Sequence, residues 1–280
     1  STLHPEFAFL PRKFKIAVSG AREDRAAIGW HDIGLQLLRN DAGEVGFKVL
    51  VGGGMGRTPV IGTVINDFLP WQQILVYIEA IVRVYNRYGR RDNLYKARIK
   101  ILVKAEGQKF IDAVAAEFRQ ILEHDADGAA HLIPQAEFDR VAASFVRPAG
   151  VVADPAGDAL PVNPPEAMRR WLLRNVHAHQ VPGYRAVTLS LKRPGIAPGD
   201  VDDAQMDAAA GLAERFSLAE LRVSHDQNLV LPWVRVADLP ALWQAARELG
   251  FATPNIGLIT DMIACPGGDF CALANARSIP

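Results

Sequence analysis

The only two cysteines of this 280-residue chain, Cys265 and Cys271, share one seven-residue window, CPGGDFC. A thiolate is a nucleophile and a soft metal ligand, so this window invites redox or metal chemistry. The spacing, C-x5-C, is neither the C-x-x-C of redox disulfides nor that of zinc knuckles. Pro266, Gly267 and Gly268 allow a loop that wraps both sulfurs round one object. A 4Fe–4S cluster needs four thiolates, and two are present.

Three further groups could handle anions. Lys13 and Lys15, in RKFK, would share one face of a strand and ask for an anion between them. The alternative is an exposed edge strand with protective lysines. GGGMGR, 52–57, fits neither phosphate-loop spacing and reads as a tight turn or as close backbone approach to a large ligand. The stretch RYGRRDNLYKARIKILVK, 87–104, sets Arg87, Arg90, Arg91, Lys96, Arg98, Lys100 and Lys104 against Asp92 alone. Such a run is by default a solvated face. Otherwise it is a nucleic-acid patch, or a pocket for a polycarboxylate that arginine binds through paired hydrogen bonds. The histidines show no paired metal spacing, and no Ser/His/Asp arrangement stands out.

The elements that must position these groups read as follows. KFKIAVS (13–19) alternates like a strand, and EVGFKVLVGGG (44–54) is a strand entering a glycine turn. Residues 70–89 and 107–123 have helical spacing, with Pro70 and Gly89 punctuating the first. ARIKILVK (97–104) is compatible with strand or helix. Periodicity dissolves over 124–166, and the prolines of 147–166 suggest a linker. Beyond it, strand 184–192, helix 202–217, two strands in AELRVSHD and NLVLPWVRV, and helix 236–251 give a β-α-β-β-α order. That order is an α+β half-domain of ferredoxin-like type. The expected organisation is 1–146 as a first domain, 147–168 as linker, 169–252 as the ferredoxin-like half-domain, and 253–280 as the start of another domain.

Composition narrows the classes. About half the residues (49%) are apolar, enough for one large core or two ordinary ones. Thirty-one basic residues balance thirty-one acidic ones, so no global field favours nucleic acid or membrane. There is no apolar run of transmembrane length and no export signal, and two cysteines are too few for a disulfide framework. A reducing, cytoplasmic setting is expected. The chain opens on Ser1, and its closing ALANARSIP reads as a helix getting under way, which together suggest an internal portion of a longer polypeptide.

Taken jointly, the segments resemble the sirohaem-dependent sulfite and nitrite reductases. LPRKFKIAVSGA, HDIGL, VGFKVLVGGGMGRTP, VYNRYGRRDNLYKARIKILVK, LRVSHDQNLVL and ACPGGDFCALANARSIP all look like blocks of that family, in its order. The resemblance implies an α+β fold that binds sirohaem, a tetrapyrrole with eight carboxylates, joined to a 4Fe–4S cluster through a cysteine sulfur. It implies a six-electron reduction of sulfite to sulfide or of nitrite to ammonia. Cys265 and Cys271 then match the first cluster pair, and the family's second pair, C-x3-C, is absent. Lys13 and Lys15 match the lysines that hold the substrate anion and help deliver protons. Gly52, Gly53 and Gly54 with Arg91, Arg98 and Lys100 match stretches that approach or neutralise sirohaem. Arg222, Gln227 and Asn228 match the strand pair beside the macrocycle. Two pocket arginines of the family lie upstream of its LPRKFK block and are absent too, so the chain alone is expected to be inactive.

Family members that reduce nitrite tend to carry Lys-x-Asn where this chain has Lys13-Phe14-Lys15, and those that reduce sulfite Lys-x-Lys. A second cation suits a dianion better than a monoanion. The resemblance therefore implies assimilatory sulfite reduction, with nitrite reduction as the alternative. Ferredoxin or an NADPH-flavoprotein would be the electron donor. A non-catalytic anion- or nucleic-acid-binding domain built on 87–104 is the remote alternative.

Overall fold

The computed structural model describes residues 4–278 apart from 22, 57, 125–131 and 273. Arg57 of the GGGMGR motif thus lies outside the described residues. The chain is α+β and divides into two compact units, Ser1–Val146 and Arg147–Pro280.

In the first unit, β1 (Ile16–Ser19), β2 (Ile33–Arg39), β3 (Val45–Val51) and β4 (Thr63–Pro70) form a sheet in that order. β1 runs parallel to β2, and the remaining pairs are antiparallel. Helix α1 (Ile74–Tyr88) buries Ile74, Tyr77, Ile81, Val84 and Tyr85, a stripe at three- and four-residue spacing, against Ile33, Leu35, Val49 and Val51 of the sheet. Pro70 closes β4 rather than opening the helix, and a 3-10 turn at Trp71–Gln73 separates the two. Helix α2 (Ile99–Glu106) settles the ambiguous stretch 97–104. Ile99 and Val103, four apart, share its buried face, so the helical period prevails over β-branched composition. Gly107, at φ +53°, breaks it from α3 (Gln108–His124). Helix α4 (Gln135–Ala142) lies within the stretch where periodicity had dissolved, and it buries no side chain.

β1 is shorter than expected. Both lysines precede it, on an extended approach where exposed Lys13, half-buried Phe14 and exposed Lys15 alternate. The pairing starts at Ile16 opposite Ile33, and Lys15 adjoins it, its carbonyl accepting from Ile33 N–H at 3.1 Å.

The second unit opens with the proline-rich stretch, held to its own sheet where Asp158 accepts from Gly183 N–H (2.6 Å) and Arg185 (2.7 Å). Helix α5 (Glu166–Asn175) and β5 (Val176–Ala178) follow; neither emerged from the sequence. β6 (Tyr184–Leu189), α6 (Asp203–Phe216), β7 (Arg222–Val223), β8 (Leu229–Arg235) and α7 (Leu239–Glu248) complete the expected β-α-β-β-α run. The antiparallel sheet has the order β5-β6-β8-β7, and Trp171, Leu189, Leu231, Leu239 and Leu242 are fully buried in its core. The described residues of ALANARSIP are not helical.

Asp202 caps α6 in a reciprocal box: its side chain accepts from Gln205 N–H, while Gln205 Oε1 accepts from Asp202 N–H. Asp202→Ala is expected to cost about 1 kcal/mol, measurable as a fall of a few degrees in the thermal unfolding of this unit.

Candidate functional site

In the first unit the site is built on Asp32, the residue before β2. Its carboxylate is 1% exposed. Oδ2 accepts from the backbone N–H of Lys15 at 3.0 Å, and Arg98 donates to both oxygens at 3.0–3.3 Å. Its carbonyl accepts from Gly52 N–H at 2.9 Å. One side chain and its backbone therefore join the lysine segment, the glycine turn and the start of α2. Tyr85 of α1 secures two of the same segments, with its hydroxyl 2.7 Å from the Ala97 carbonyl oxygen and 3.2 Å from that of Arg12. Burial pushes the Tyr85 pKa up to about 12, which keeps the phenol a neutral donor.

The glycines are needed by neighbouring groups. Gly52 holds φ +88° against Val103. A Cβ on Gly53 would fall 2.5 Å from the Gly29 carbonyl, and one on Gly54 would fall 2.9 Å from Lys100 Cδ. Lys100, buried, donates to the carbonyls of Met55 (3.2 Å) and Thr58 (2.7 Å) and so fastens the turn. Lys15, Asp32 and Arg98 line a cleft of about 390 Å³ together with Trp30, His31 and Met55. The structure thus brings Lys15, the glycines, Arg98 and Lys100 together.

The cations of the first unit divide by partner. Arg87 pairs with Glu117, Arg90 with Asp92, and Arg98 with Asp32. Arg91 donates to the Asn86 carbonyl (2.7 Å), the Asn86 side chain (2.6 Å) and the Phe9 carbonyl (3.3 Å), and Lys100 donates to carbonyls, so neither is neutralised by an acid. Lys13 and Lys15 make no side-chain bond among the described residues. Neutral partners for Arg91 and Lys100, and none for the side chains of Lys13 and Lys15 among the described residues, leave all four with uncompensated charge, which suits anionic ligands. The internal pairing of Arg87, Arg90 and Arg98 weakens the basic stretch as a nucleic-acid surface.

In the second unit, Cys265 is exposed, Cys271 is half-exposed, and both are free thiols. The loop between them is a 3-10 turn, Gly267–Asp269, with Cys271 N–H donating to the Gly267 carbonyl at 3.0 Å. Gly267 sits at φ +68°, and a Cβ there would lie 2.6 Å from Ser278 N, so the loop closes round its own tail. Accessible, unbonded sulfurs on a short turn fit a thiolate pair for a metal cluster. No group of three or more His, Cys, Asp or Glu able to hold a metal occurs among the described residues.

Arg222 is exposed and paired with Glu220. Gln227 and Asn228 sit in the β7–β8 turn. The Gln227 amide donates to the Ala264 carbonyl (2.7 Å) and accepts from Ala264 N–H (3.0 Å), one residue before Cys265. Asn228 is 1% exposed, accepts from Leu191 N–H and donates to Asp261. Burial raises the Asp261 pKa, but bonds from Lys192, Gly257 N–H and Asn228 outweigh it and hold the carboxyl below the usual range.

Sequence reasoning missed Asp32, His31 and Trp30 as site residues, and also Lys192 and Asp261. HDIGL carried the signal for the first two, an aspartate directly ahead of a strand. Lys192, closing the apolar TLSLK, carried it for the buried pair.

Two known domain families match along the chain. The "Nitrite and sulphite reductase 4Fe-4S domain" matches residues 1–122, and the "Nitrite/Sulfite reductase ferredoxin-like half domain" matches 171–249. The chain belongs to the nitrite and sulfite reductase family. A sulfite reductase (ferredoxin) of Synechococcus elongatus is 41% identical over 118 residues, covering 39% of this chain and 19% of that protein. Sulfite reductase (ferredoxin) 1 of Mycolicibacterium paratuberculosis is 26% identical over 98% of this chain and 42% of its own length. A ferredoxin–nitrite reductase of S. elongatus is also 26% identical, over 96% of this chain and 45% of its own length. The solved structure of the Mycobacterium tuberculosis NirA protein superposes with a TM-score of 0.62 at 26% identity, covering 98% of this chain and 43% of that one. The chain therefore spans less than half the length of these relatives. Family membership and α+β architecture agree with the resemblance read from the sequence blocks.

Proposed function

We propose that the chain is part of a sirohaem- and 4Fe–4S-dependent reductase that converts sulfite to sulfide in assimilatory sulfate reduction. The observation that carries this reading is the exposed Lys13–Lys15 pair, without acidic partners, with Lys15 lining the Asp32–Arg98 cleft. When bound, sirohaem and its cluster would supply electrons to the anion. The chain's own residues supply part of the rest. Lys13 and Lys15 attract and orient the anion, and an ammonium beside a desolvated anion can pass protons through bound water. Lys100 and Arg91, uncompensated, would offer charge to the macrocycle carboxylates, and Arg98 and Arg222 would add charge that their acidic partners moderate. Gly52, Gly53 and Gly54 keep the backbone low beside Lys100. Cys265 and Cys271 would supply two of the cluster's four thiolates. Gln227, bonded to Ala264, and buried Asn228, bonded to Leu191 and Asp261, would support the cofactor side from behind.

The relatives' names support sulfite or nitrite as substrate and ferredoxin as donor; the NADPH-flavoprotein alternative has no support in them. No helix among the described residues is long and apolar enough to cross a membrane. Two free thiols suit the reducing cytoplasm. Nitrite reduction stands as the second reading, on the equal identity to the nitrite reductase.

Lys15→Asn in the longer enzyme tests the choice. A lost unit charge at about 4 Å costs a monoanion on the order of 1 kcal/mol in bulk-like dielectric, and a dianion twice that. The kcat/KM for sulfite is expected to fall about thirtyfold, and that for nitrite about fivefold. Equal losses would remove the preference for sulfite.

A further inference from the structure

The segment from Thr253 to Cys265 has no strand or α-helix, only one 3-10 turn at Ile259–Asp261. Its course is set by side chains. Asn255, 3% exposed, donates to the Lys192 (3.0 Å) and Thr260 (3.1 Å) carbonyls and accepts from Ser190 Oγ (2.7 Å). Asp261 pairs with Lys192 at 2.8 Å, the two side chains being 7% and 2% exposed. Asp261 also accepts from Asn228 (2.9 Å) and Gly257 N–H (2.9 Å), and Lys192 Nζ also donates to the Asp226 carbonyl. Gln227 makes the last attachment, both of its amide groups meeting the backbone of Ala264.

Gln227 does this from a left-handed backbone, φ +56°, that a long side chain adopts at a cost. Gly199 packs so closely that a Cβ there would lie 2.8 Å from Gln227 Cβ. Asparagine is at home in this conformation and glycine more so, yet neither reaches Ala264. A strained glutamine stands where a relaxed turn residue would serve the hairpin alone.

We propose that Gln227, backed by the buried Lys192–Asp261 pair, is a positioning residue that holds the Cys265 thiol in register for its cluster. The pair fixes the segment four residues upstream, and the glutamine fixes the residue adjoining the ligand. A buried ion pair is weak as a source of stability but strong as a constraint, because separating it leaves an unpaired charge in the interior. The role rests on the reading of Cys265 and Cys271 as cluster ligands.

Gln227→Asn separates positioning from folding. It relieves the left-handed strain but shortens the side chain by one methylene, so the bonds to Ala264 are lost. The 280-residue chain, free of iron, is expected to keep or raise its Tm while amide hydrogen exchange over 264–271 rises at least tenfold. In the longer enzyme, the same change should alter the electron paramagnetic resonance line shape of the reduced cluster and speed iron loss to a chelator. Unchanged exchange would overturn the proposal, and so would faster exchange with an unaltered spectrum and unaltered iron retention. Lys192→Met strands Asp261 and should spread the fast exchange to 255–271; protection there equal to wild type would also count against it. The exchange comparison needs no cluster, so it decides the attachment by itself. Wild-type enzyme that shows no cluster signal would instead sink the cofactor reading.

Discussion

Asp32→Ala is expected to lower the unfolding temperature of the first unit by roughly 6–20 °C. The aspartate is 1% exposed, and the guanidinium it binds is only partly solvated. Removing one member of such a pair costs about 3–5 kcal/mol, because the remaining charge keeps its burial and loses its partner. For a unit of this size each kcal/mol shifts Tm by about 2–4 °C. Three segments lose a common anchor, since Lys15 N–H and Arg98 both bond the carboxylate. Asp32→Asn is expected to fall between alanine and wild type, as the amide oxygen can still accept one bond. Differential scanning calorimetry of the three proteins measures this. An alanine variant that melts with wild type would show that Arg98 finds water or another acceptor at no cost, and would remove Asp32 as the organiser of the cleft.

The reach of sequence reasoning follows from the range of each interaction. The β-α-β-β-α run and helices α1 and α3 were legible because their apolar stripes repeat every two or three to four residues. Helix α5 buries Met168, Trp171, Leu172 and Asn175 at helical spacing, yet the prolines just upstream and a buried asparagine in its stripe masked it. The chemical groups with local spacing, Lys13 with Lys15 and Cys265 with Cys271, could be picked out directly. Arg98 and Lys100 could be nominated as cations, but their partners could not. Asp32 is 66 residues from Arg98, and Lys192 is 69 residues from Asp261. No local period records a bond of that length. Gln227 shows the same limit from another side: its place in the turn was visible, while its left-handed backbone and its bonds to Ala264 exist only once the tail has folded back.

Cys265→Ser separates the enzyme reading from any binding role of the basic stretch. The Gln227 bonds go to the backbone of Ala264, and Cys265 itself is exposed and makes no side-chain bond among the described residues. Serine therefore fits without disturbing the loop, and Tm is expected to change by less than about 0.5 kcal/mol equivalent. The chemistry changes completely, because a hydroxyl is a hard donor that stays protonated near neutral pH, while iron–sulfur clusters are held by thiolates. In the longer enzyme, supplied with iron, sulfide and sirohaem, the variant is expected to lose the visible absorbance and paramagnetic signal of the cluster, and with them sulfite turnover. Cys271→Ser should do the same, since each would supply one of four thiolates. An anion- or nucleic-acid-binding domain built on residues 87–104 predicts the opposite pattern: binding that weakens steeply with salt and is indifferent to both cysteines. Retention of a full cluster signal in Cys265→Ser would refute the ligand assignment, and with it the role given to Gln227. Loss of signal at unchanged Tm would tie the two sulfurs to the cluster by chemistry rather than by folding.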